Sequence, residues 1–175
     1  MNVSWPSPDY DRQIDLICEK LDKARNIFCI AHPYSDGDAL GSQLALYHWC
    51  RAAGKNCVVL NFDPLPEQIS WLRGAEVCQN YLPEDVEFDL AFLMETTEAR
   101  RMGERVEFFK RATTTVHLDH HIGVVGLGSI NLLEEKASST CEILYNILER
   151  TGVELSRECR EALYVGIMTD TGNFR

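Results

Sequence analysis

Short unbroken apolar runs alternate along this chain with longer segments whose apolar positions recur every three or four residues. Residues 26–31 (NIFCIA) form the first run, and such a run predicts a buried strand. Residues 56–62, 88–95 and 113–119 predict three more, the last rich in β-branched side chains. Helical spacing covers residues 9–25, where Ile14, Ile17 and Leu21 follow the start signal Ser7-Pro8-Asp9. It returns at 38–54, closed by Gly54, and at 97–112, 138–152 and 156–172. The last two each open with a serine able to cap. A short helix is expected over 67–73. This alternation predicts an α/β fold, a mainly parallel sheet flanked by helices. Ligands in such sheets bind beyond the carboxyl ends of the strands.

That rule directs attention to the residues just beyond each strand. His32, Asp36 and Asp38 come after the first, Glu95 ends the third, and Asp119-His120-His121 end the fourth. Asp170 lies near the end of the last helix, between two threonines. Asp36 and Asp38 crowd like charge beside a buried strand, which is unfavourable unless something positive lies between them. Six side chains therefore stand out as metal ligands: His32, Asp36, Asp38, Glu95, His120 and Asp170. Mixed carboxylate and imidazole donors favour transition metals over calcium or magnesium. Two metals about 3.5–4 Å apart hold a hydroxide and clamp a phosphoryl oxygen, so in-line attack on phosphorus is the expected chemistry.

Each fragment alone has an ordinary reading. Asp36-Gly37-Asp38 is a turn and cap, Glu95 a partner for Arg100 or Arg101, and His120-His121 a loop pair. Their joint placement at strand ends favours the site. His48, in mid-helix beside Trp49, reads as structural. No phosphate-binding glycine loop of the GxxxxGK[ST] or GxGxxG type is present, and no GxSxG.

Composition narrows the setting. With 175 residues the chain is long enough for one domain with a real core. The net charge of −10 and the lack of a basic block argue against a groove for long duplex nucleic acid. No apolar run is long enough for a membrane span, and the N-terminus is not built like a signal peptide, so a cytoplasmic location is expected. The seven cysteines include no CxxC and read as small core residues.

The segments AHPYSDGDALGS, LDHH and GIMTDTGNF, in this order and spacing, resemble the DHH phosphoesterase family. NLLEEKASSTCEILYNIL is also similar to the stretch that comes after the family's DHH triplet. The DGDALGS form resembles the branch of oligoribonucleases and pAp phosphatases, often called nanoRNases, and the related cyclic-dinucleotide phosphodiesterases. Family-II pyrophosphatases share the DHH triplet but usually lack the Gly-Ser that comes after the two aspartates here, Gly41-Ser42. The resemblance implies hydrolysis of short oligoribonucleotides, linear dinucleotides or 3′-phosphoadenosine 5′-phosphate. A pyrophosphatase-like hydrolase and a degenerate nucleotide-binding module are the alternatives. It also implies two Mn²⁺ ions, with Mg²⁺ or Co²⁺ as substitutes, and a possible homodimer. By resemblance, His32 and Asp36 would hold one ion, Asp38, His120 and Asp170 the other, and Glu95 would bridge them. His121 and Arg101 would contact substrate, His121 also helping to protonate the leaving group, while Asp119 would orient the histidines.

Two features depart from the family pattern. Glu95 stands where the family normally carries Asp, and a bridging position tolerates little displacement. Family members also continue beyond the fourth motif into a glycine-rich, basic substrate-binding domain, whereas this sequence stops at Arg175. The resemblance thus implies that residues 1–175 are a single DHH catalytic domain with that second domain missing. The expectation is cation binding with weak or absent turnover by these residues alone.

Overall fold

A computed structural model describes residues 6–175. Five strands form one all-parallel sheet: β1 (Asn26–Ala31), β2 (Asn56–Leu60), β3 (Phe88–Met94), β4 (Ala112–Asp119) and β5 (Ile130–Leu133). Their spatial order is β2-β1-β3-β4-β5. The order reverses at β1, so the crevice between the ends of β1 and β3 is a topological switch point. The α/β architecture expected from the sequence is the one observed.

The central strands are apolar on both faces because both faces are covered. Ile27, Cys29, Leu90, Phe92, Val116 and Leu118 face one core, shared with α1 (Tyr10–Lys23), α2 (Gly37–Ala52) and α5 (Thr140–Arg150). Phe28, Ile30, Ala91 and Leu93 face a second, smaller core closed by Leu82, Met102 and Phe109. The final helix, α6 (Arg157–Asp170), packs on α2 and α5. Two glycines permit that approach. A Cβ at Gly37 would stand 2.9 Å from Thr169 Cβ, and one at Gly41 would stand 2.7 Å from the Ala162 carbonyl oxygen. The carboxyl end of α6 is thereby drawn onto the amino end of α2. Ser139 and Ser156 cap α5 and α6, accepting from the N–H groups of Glu142 and Cys159.

Several local expectations need correction. Residues 97–112 do not form one helix. They break into α3 (Ala99–Met102), a 3₁₀ turn at Gly103–Arg105 and α4 (Val106–Phe109), because Gly103 takes φ +55°. Residues 67–73 form turns, with a 3₁₀ turn only at Ala75–Val77. There Ser70 Oγ and Trp71 Nε1 donate to the nearby carbonyls of Glu67 and Gln68, and Gly74 takes φ +92°. Asp9 occupies the N-cap of α1 without a side-chain cap bond. Strand β5 was not expected; it has only four residues at the sheet edge. His48 is structural, bonding the Arg73 carbonyl through Nε2 at 2.8 Å. Among the described residues no helix is long and apolar enough to cross a membrane.

Candidate metal centre

The sheet topology delivers the polar residues to one place. β1 ends at Ala31, and His32 comes directly after it. Asp36 is the N-cap of α2, its Oδ1 accepting the N–H groups of Asp38 and Ala39 at 3.1 and 3.0 Å. Asp36 thus caps the helix through Oδ1 while Oδ2 turns to His32 Nε2 at 3.7 Å. Glu95 comes just after β3 with φ +56°, a left-handed backbone uncommon for a residue with a long side chain. This conformation turns the carboxylate back into the crevice, where it is buried. Asp119 ends β4, with His120 and His121 next in the chain, and Asp170 ends α6.

Three groups of potential ligands result, each with its atoms within 4.8 Å of one another: His32–Asp36–Glu95, Asp38–His120–Asp170 and Glu95–His120–His121. All six predicted ligands fall into the first two groups. Glu95 reaches both sides, with Oε1 3.6 Å from His120 Nε2. His120 Nε2 also stands 3.3 Å from Asp170 Oδ2.

The protonation pattern tests whether a cation fits. His120 Nδ1 lies 3.2 Å from the Ala137 carbonyl, and a carbonyl can only accept, so that nitrogen carries the hydrogen. Nε2 then faces the carboxylates of Glu95 and Asp170. Nε2 is buried and has no hydrogen-bond partner among the described residues. His32 repeats the arrangement, with Nδ1 2.7 Å from the Pro33 carbonyl and Nε2 facing Asp36. Imidazole nitrogens set against carboxylates in this way need a proton or a cation between them. The donor set of imidazole nitrogen and carboxylate oxygen suits a divalent transition metal.

Charge pressure in the crevice points the same way. Burial first, and then the Asp38 carboxylate, push Glu95 up to about 10. Burial also raises Asp170, opposed by His120 and reinforced by Asp38 and Asp36. The Asp36 carboxylate beside its ring raises His32 against its burial. Burial works to raise Asp36, but His32 and the N–H groups of Ala39 and Asp38 outweigh it and hold the carboxyl low.

His121 differs from the six candidate ligands. Its Nδ1 is 2.8 Å from Asp119 Oδ1, which also accepts the His121 backbone N–H at 2.8 Å. The nitrogen nearest Glu95, at 3.9 Å, is that same committed Nδ1. His121 Nε2 is therefore the ring atom left for a bound molecule, and the side chain is 44% exposed. Arg101 lies on the rim, donating to Thr97 Oγ1 at 3.4 Å, and its charge works to lower His32.

The sequence reading missed one participant. Thr140 opens α5, donating its N–H to Asp38 Oδ2 at 2.7 Å and its hydroxyl to Glu95 Oε1. Cys141 N–H donates to Asp38 Oδ1 at 2.9 Å. The available signal was the run Ser138-Ser139-Thr140, which holds more hydroxyls than one cap requires.

Residues 26–167 match the DHH family, N-terminal domain. The chain is 27% identical to the bifunctional oligoribonuclease and PAP phosphatase NrnA of Thermus thermophilus, over 100% of this chain and 52% of that protein. It is 26% identical to the probable bifunctional oligoribonuclease and PAP phosphatase NrnA of Streptococcus mutans, over 90% of this chain and 49% of that protein. The solved structure of an exopolyphosphatase-related protein from Bacteroides fragilis superposes with a TM-score of 0.85 at 26% identity, over 94% of this chain and 51% of that one. The chain spans about half the length of the curated relatives it matches.

Proposed function

The chain belongs to the DHH family, and on that footing we propose that it is a cation-dependent phosphoesterase. Its substrates in this reading are short oligoribonucleotides, linear dinucleotides or 3′-phosphoadenosine 5′-phosphate, as the names of its relatives suggest. The observation that carries the reading is the unpartnered His120 Nε2, facing Glu95 and Asp170 at the switch point.

His32 and Asp36 would hold one divalent cation, Asp38, His120 and Asp170 a second, and Glu95 would join the two sets. Mn²⁺ fits this mixture of nitrogen and oxygen donors. When bound, such a pair of cations supplies an activated water and neutralises charge on a phosphoryl group. Asp119 fixes the His121 ring through Nδ1, leaving Nε2 to meet the phosphate and to hand a proton to the leaving oxygen. Arg101 on the rim adds positive charge for an anionic substrate. Residues 1–175 act as one catalytic unit, the DHH domain, in this reading. The seven free cysteines suit a reducing, cytoplasmic setting.

The test is single-turnover hydrolysis, with protein in excess over substrate and Mn²⁺ present. 3′-Phosphoadenosine 5′-phosphate, a 5′-phosphorylated diribonucleotide and pyrophosphate would be compared. Manganese-dependent cleavage of either nucleotide, lost in His120→Ala, is the expected result. Cleavage of pyrophosphate alone would replace this reading with a pyrophosphatase. No cleavage of any of the three, together with fewer than two bound Mn²⁺ ions per chain, would favour a binding module.

A further inference from the structure

We propose that Thr140 is a positioning residue for the cation centre, setting Glu95 through its hydroxyl and Asp38 through its backbone N–H. The inference rests on the reading of these carboxylates as cation ligands. It adds a residue outside that ligand set.

Thr140 is fully buried at the first position of α5. A hydroxyl at a helix start ordinarily serves as the cap. Here Ser139 already does so, accepting the Glu142 N–H at 3.1 Å. The Thr140 hydroxyl is thereby free to donate its one hydrogen to Glu95 Oε1. The first N–H groups of a helix lack partners within it. Those of Thr140 and Cys141 reach Asp38, one to each carboxylate oxygen, at 2.7 and 2.9 Å. The start of α5 thus fixes two buried carboxylates that come from different elements, α2 and the end of β3.

Glu95 needs such a restraint. Its carboxylate sits at the end of three rotatable bonds, on a left-handed backbone, between two groups of ligands. One donor on Oε1 fixes that carboxylate without entering either group. An outer hydrogen bond that orients a ligand is commonly worth roughly 10–100-fold in metal affinity.

Mn²⁺ titration by calorimetry on the full chain would compare wild type, Thr140→Val and Thr140→Ser. Valine keeps the shape and the backbone N–H but removes the donor. The expected result is a loss of roughly 10–100-fold in affinity for at least one ion in Thr140→Val, with recovery in Thr140→Ser. The loss of affinity should persist at temperatures where the cation-free variants remain fully folded, which a merely structural role would not allow. In a Glu95→Asp background, where the carboxylate is withdrawn from the hydroxyl, the valine substitution should have much less effect. Should Thr140→Val melt below the titration temperature, Thr140→Ala removes the same hydroxyl with less bulk and carries the comparison. Wild-type affinity in the hydroxyl-free variant would overturn the inference alone. A wild-type chain that takes up no cation would overturn the reading it rests on as well.

Discussion

His120 Nε2 stands 3.3 Å from the Asp170 carboxylate, so the end of β4 and the end of α6 meet at one point. Nδ1 is committed to the Ala137 carbonyl, so Nε2 is the ring atom turned to Asp170, and a proton or a cation must lie between the two. Substituting either partner should therefore remove a cation ligand more than a fold contact. His120→Ala and Asp170→Asn should each lower bound Mn²⁺ from two ions per chain toward one. Equilibrium dialysis with elemental analysis reads that number directly, and an unchanged count would remove the pair from the ligand set.

Glu95 gives the centre a pH signature. Its pKa rises from 4.5 to about 10 in the fold, first through burial and then through Asp38. The folded chain then keeps a proton that the unfolded chain releases, so cation-free stability falls as pH rises between those values. Glu95→Gln removes the ionisation and keeps the shape. Its cation-free melting temperature should vary less across pH 5–9 than that of wild type, because Gln carries no ionisation. Saturating Mn²⁺ should flatten the wild-type profile and leave that of Glu95→Gln nearly unchanged. Thermal melts over the range test all three curves.

Gly41 links packing to the site. In a helix interior, Ala is favoured over Gly by about 1 kcal/mol. Here a Cβ would stand 2.7 Å from the Ala162 carbonyl, and overpacking of this kind costs about 1–3 kcal/mol. Gly41→Ala should be destabilising on balance. It should also weaken cation binding, because α6 carries Asp170 and α2 carries Asp38. Urea unfolding and Mn²⁺ affinity, measured on the same variant, would show both losses.

Asp89 provides the contrasting case. It lies at the opposite end of the sheet, where Oδ2 accepts the N–H groups of Arg25 and Asn26 at 2.7 and 2.8 Å. Those bonds hold its carboxyl below the usual range. Its contribution is present at neutral pH and is lost as pH falls through that lowered value. Asp89→Asn should cost about 1 kcal/mol in urea unfolding near pH 7, less at pH 3, and leave Mn²⁺ affinity unchanged.

The sequence exposed the parts of the fold that depend on burial alone. NIFCIA and FDLAFLM are apolar on both faces, and only a covered strand needs that. The clustering of the six candidate side chains was readable because strand ends in a parallel sheet converge. Features governed by a single backbone angle were not. Gly103 breaks a helix that the charge and apolar pattern favours, and the left-handed turn at Glu95 leaves no mark on its neighbours. Strand β5 has too few residues for a pattern and is specified by pairing with β4. Thr140 was hidden for another reason. Its role lies in contacts with Asp38 and Glu95, both far away along the chain.

The most direct test of the cation centre is a calorimetric titration of Mn²⁺ into cation-free protein at neutral pH. Two ions per chain, with protons released on binding, would agree with Glu95 joining two ligand groups. A single ion would contradict the joined pair, and no binding would contradict the centre altogether.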